Sequence, residues 1–157
     1  MSKSSKCSIA AAVALAIFAT ASGAQQPKPH QHVTAASLKW ADVGSLPKGA
    51  RIAVIEGPMN KATPFTVRIR FPAGYTLPAH FHPAVERVTV LSGTFHMGMG
   101  EKFEREQTHP VRAGDVMIMQ AGTPHYAWTD GEVVVQIHGT GPWGITYING
   151  ADDPRKN

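Results

Sequence analysis

The sequence predicts an all-β domain, a sandwich or closed barrel of short strands, and three observations point there. From Leu38 onward, short apolar runs are divided by Gly, Pro and Asp, roughly every 8–12 residues, which is the spacing of β-sandwiches and barrels. Phe65, Val67, Ile69 and Phe71 alternate with Thr66, Arg68 and Arg70, the period-two signature of a strand with one buried face. No stretch carries the sustained 3.6-residue repeat that an amphipathic helix needs.

Residues 1–24 stand apart from the fold. Lys3 and Lys6 precede an uncharged, mostly apolar stretch, residues 9–21, and Ser22-Gly23-Ala24 follow. This is the layout of a secretory signal peptide, and its apolar part falls short of the ~20 residues of a permanent span. The expected product is periplasmic or secreted, cleaved after Ala24 or Ala21. Cys7 lies before the apolar run, whereas a lipid-attachment cysteine would follow it. Cleavage removes the chain's one cysteine and lowers its formal charge of +4 by the two lysines. Residues 25–37, with Pro27, Pro29, His30 and His32, read as a flexible arm. That His-x-His pair can chelate a metal, although an exposed tail is the plainer reading.

The domain is expected over residues 38–150. Its strands are residues 51–56, 65–71, 87–91, 94–99, 116–119, 133–138 and 144–148, with turns at Ser92-Gly93, Gly114-Asp115 and Asp130-Gly131. Residues 151–157, including Asp152-Asp153-Pro154-Arg155, read as a solvated tail. A length of 157 residues, 43% hydrophobic, fits one packed domain. No basic run exceeds two residues, so nothing resembles the charged stripe of a nucleic-acid binder. A single cysteine excludes a disulfide framework and a cysteine zinc site.

Three of the eight histidines fall into one arrangement. Gly74 is followed after five residues by His80-Phe81-His82, then after three by Glu86 and after six more by Gly93. Further on, Gly114 leads through Gly122 to His125. On a strand, His80 and His82 share a face. Glu86 shares their parity if the strand runs on, and a bend at Pro83-Ala84 would re-aim its carboxylate toward the rings. His125 has to arrive from a neighbouring strand. Three imidazoles and one carboxylate make a mixed N/O site for a divalent transition metal, with open positions on an octahedral ion.

These residues resemble the two motifs of a single-domain cupin. Every fixed position of the first motif is matched, from Gly74 to Gly93. In the second, Gly114, Gly122 and His125 match, while Gln120 stands where the family usually has proline and Thr129 where it has asparagine. The resemblance implies a cupin-type β-barrel, a double-stranded β-helix or jelly roll. It implies His80, His82, Glu86 and His125 as ligands of Fe, Mn, Ni, Cu or Zn, and often a homodimer.

Phe65, Val67, Ile69, Val88 and Val90 are expected to face the barrel interior, with Phe95, Met97 and Met99 also in the core. His96, Tyr126 and Trp128 should face away from the site, and His109 should lie in a loop. His138 and Gln136 share a parity that could point inward. Gly141-Pro142-Trp143-Gly144 is a rigid turn whose ring could cap the barrel or join a dimer interface. Three functions fit these residues: an exported, dioxygenase-like metalloenzyme acting on a small organic molecule with Glu86 as proton acceptor, a metal-dependent binding module, or a protein with a structural metal. Enzyme status is left open, because only Glu86, His138 and Gln136 stand as acid–base candidates.

Overall fold

A computed structural model of the chain describes residues 30–156. The signal-peptide reading of residues 1–24, and residues 25–29 of the arm that follows it, lie outside the described residues. Among the described residues eleven strands run in chain order: β1 Ala41–Asp42, β2 Arg51–Glu56, β3 Pro64–Phe71, β4 Thr76–Phe81, β5 Glu86–Ser92, β6 Thr94–Met99, β7 His109–Arg112, β8 Val116–Met119, β9 His125–Thr129, β10 Val133–Thr140 and β11 Thr146–Tyr147. They form two antiparallel sheets, ordered β1-β2-β3-β10-β5-β8 and β11-β4-β9-β6-β7. Among the described residues the helical segments are short 3₁₀ turns, and no helix is long and apolar enough to cross a membrane.

The alternation in β3 buries Phe65, Val67, Ile69 and Phe71 against Val88 and Val90 of β5 and Val133, Val135 and Ile137 of β10. The second sheet contributes Leu77, Phe95, Met97 and Ala127 to the same core. Gly93 turns β5 into β6 at φ +78°, with the carbonyl of Glu132 packed so close that a Cβ could not fit there.

Several expectations are corrected. Met99 is 57% exposed, as the last residue of β6 beside the turn at Gly100. Gln136 and His138 lie on the outer face of β10, since its inward positions are taken by Val135 and Ile137. Gln136 instead accepts a hydrogen bond from Nε of Arg68 at 3.2 Å. His109 opens strand β7, opposite Met97, and is exposed as expected of it. The last residues are docked: Asp153 is buried, its carboxylate takes Arg155 at 2.7 and 2.8 Å, and Arg155 donates to the carbonyl of Ile145.

Candidate metal centre

The site lies between the sheets at one end of the barrel, and a β-bulge builds it. Leu77 of β4 pairs with Ala127, yet His80 pairs with His125, so β4 carries one extra residue between them. Pro78 sits in that interval, and proline cannot donate to a sheet ladder. The extra residue flips the parity, so that Leu77 and His80 both line the interior. The Pro78 carbonyl freed by the bulge accepts from Nδ1 of His80 at 2.7 Å.

The other two histidines are oriented in the same way. Nδ1 of His82 donates to the Gly144 carbonyl at 2.6 Å and Nδ1 of His125 to the Thr123 carbonyl at 2.9 Å. A carbonyl cannot donate, so all three Nδ1 atoms carry the proton and each Nε2 keeps its lone pair. Each ring brings a ligand atom within 4.8 Å of the other two. Three buried, converging lone pairs with no hydrogen to share fit a divalent transition metal of the imidazole-preferring kind, and the carbonyl partners are the orienting shell such ligands require.

Glu86 enters from the other sheet as the first residue of β5, not from a continuation of β4. Its carboxylate oxygens lie 3.4 Å from Nε2 of His82 and 3.6 Å from Nε2 of His125. Burial pushes this carboxyl up to about 8. Burial likewise lowers the imidazoles, His82 to about 4 and His80 and His125 in the same direction, with the neighbouring rings adding to the shift at His80 and His82. The histidines are therefore neutral at neutral pH and ready to ligate.

The chain turns that hold these residues explain the two departures in the second motif. Gly122, at φ +75°, donates its N–H to the His82 carbonyl, and Gln120 is exposed. Thr129 is buried. Its hydroxyl donates to the Pro72 carbonyl at 2.7 Å and accepts the Tyr75 N–H at 3.0 Å, so no asparagine is needed.

The histidines and Glu86 line part of a cavity whose empty space, about 390 Å³, includes the gaps between lining atoms and open solvent. Its other walls are apolar, among them Ile69, Phe71, Val88, Phe95 and Ile137. Trp143 completes the wall, stacked on His82 with centroids 4.8 Å apart and planes 14° apart. The turn expected to carry a capping ring thus places it inside the site.

Residues 67–138 match the family described as Cupin domain. These residues are a single cupin domain. The chain is 30% identical over 95 residues, 60% of its length, to germin-like protein 5-1 of Oryza sativa subsp. japonica, and spans 42% of that protein. Among solved structures, the polyketide cyclase of Streptomyces resistomycificus superposes with a TM-score of 0.66 at 16% identity, covering 82% of this chain and 92% of that one. A candidate acetylacetone dioxygenase of Methylibium petroleiphilum superposes with a TM-score of 0.61 at 14% identity, covering 83% and 88%. At such identities the likeness establishes the cupin fold alone, and one fold of this kind hosts many chemistries.

Proposed function

We propose that this cupin is an exported metalloenzyme. It takes a small, flat organic molecule onto a divalent transition ion held by His80, His82, His125 and Glu86, and oxidises it in a dioxygenase-like reaction with O₂ as co-substrate. The observation that carries the reading is the convergence of three carbonyl-locked imidazoles in the wall of an otherwise apolar cavity. The ion would supply open coordination positions and polarise the oxygen donors of the substrate. The chain supplies the rest. The carbonyl-bound Nδ1 atoms fix the ring planes, and the apolar walls exclude water from the bound molecule. Glu86 is the one carboxylate lining the cavity among the described residues; it would help to hold the ion and is the group placed to accept a proton.

One observation favours a second reading, a metal-dependent binding module: the cavity lining holds no acid or base besides the four site residues. Loading the purified protein in turn with Fe, Mn, Ni, Cu and Zn and following oxygen uptake with catechols and β-diketones separates the two. The enzyme reading expects uptake with an open-shell metal, abolished in a His80/His82 double-alanine variant. Binding without uptake favours the module. Export is tested by the native N-terminus, expected at Gln25, and the homodimer by the mass in solution.

A further inference from the structure

Three buried side-chain nitrogens among the described residues have no hydrogen-bond partner: Nε of Arg70, Nε2 of His96 and Nε1 of Trp143. The first two lie outside the cavity and have a carboxylate close by, Glu132 at 4.0 Å from Arg70 and Asp130 at 3.6 Å from His96. Trp143 differs, because its ring lines the cavity and lies flat on His82. A buried indole N–H without an acceptor is costly, and this one is held in place. The backbone N–H of Trp143 donates to the Met59 carbonyl at 2.7 Å, and that of Gly141 to the Thr63 carbonyl at 3.0 Å. Phe65 packs against the indole at 5.5 Å. The rest of the cavity wall beyond the histidines and Glu86 offers no side-chain donor.

We propose that Trp143 is a ligand-binding residue whose Nε1–H donates to an oxygen of the bound molecule. It would select ligands that carry an acceptor oxygen on a flat body, such as carboxylates, hydroxamates and enolates. This rests on the open metal site proposed above. A rigid donor costs little ordering on binding, so its loss should be felt in affinity rather than in fold.

The test uses the zinc-loaded protein and two probes, acetohydroxamate, which brings oxygen acceptors, and imidazole, which once bound through nitrogen brings none. Trp143→Phe keeps an aromatic ring on His82 and removes the N–H. Acetohydroxamate should bind the variant about tenfold more weakly, with zinc content and imidazole affinity unchanged. In the unaltered protein, the Trp143 indole N–H resonance should move downfield on adding acetohydroxamate and not on adding imidazole. This second readout does not depend on the variant folding. Equal weakening for both probes, or an unmoved resonance, would overturn the assignment while leaving the open site standing. A zinc-loaded protein that takes neither probe would overturn the open site itself, and this proposal with it.

Discussion

Two histidine settings in this barrel look alike by distance and differ in what they can do. His82 and His125 lie 3.4 and 3.6 Å from the Glu86 carboxylate, and His96 lies 3.6 Å from that of Asp130. His96, however, sits on the outer face of β6, stacked on Trp128 at 3.8 Å with planes 7° apart, and Arg105 covers the opposite side of that indole at 3.6 Å. Its ring is used as a packing surface. In the cavity, three rings each spend one nitrogen on a carbonyl and turn the other toward a common point. A histidine–carboxylate distance alone does not mark a metal site. Convergent lone pairs with their protons fixed elsewhere are what a set of metal-binding histidines requires.

Breaking the inner setting should have the largest effect. His82→Ala should lower affinity for zinc by more than about a hundredfold, since losing even an orienting partner of a ligand costs about 10–100-fold. The fold should stay intact by circular dichroism, because the apolar strands carry the core. The outer setting should respond in the opposite way. Gly98 faces the Tyr126 ring so closely that a Cβ would overlap it. Gly98→Ala should therefore cost on the order of 3 kcal/mol in denaturant unfolding, with zinc affinity per folded molecule unchanged.

Titration sharpens the contrast further. Glu86 holds its proton up to about pH 8 in the metal-free protein, so an ion ligated by it must displace that proton below this pH. Zinc affinity should rise about tenfold per pH unit toward pH 8 and level off above it. His82, lowered to about 4, adds no competing proton near neutrality. Glu86→Gln should flatten the profile. The stability of the metal-free barrel should move in the opposite direction. Glu86 is raised above its ordinary 4.5, so its contribution is complete below that value and is lost as pH rises through about 8. The smallest effect belongs to His96→Ala. Loss of its stack should cost about 1 kcal/mol in thermal unfolding and leave metal content untouched.

Much of this was legible in the residues. The alternation in β3 and the punctuation by Gly, Pro and Asp place most of the strands, and the resemblance to the two cupin motifs implies the convergence of His80, His82 and His125. What escaped depends on tertiary placement. Strand parity alone does not show that a bulge at Pro78 turns Leu77 and His80 inward together, or that Glu86 reaches the rings from the opposite sheet. Gln136 and His138 read as inward candidates because they are polar and share a parity. Val133, Val135 and Ile137 held the contrary signal, since the apolar parity of a half-buried strand takes the core. Trp143 meets His82 through the anchors at Met59 and Thr63 and through the Gly144 carbonyl on His82, contacts between segments far apart in sequence.

Elemental analysis of the purified protein, beside its His80/His82 double-alanine and His96→Ala variants, tests the convergent-lone-pair account most directly. The account predicts about one transition-metal ion per chain in the native protein and in His96→Ala, and none in the double variant. A native protein that stays folded and takes up no metal, or a His96→Ala variant that loses its ion, would contradict it.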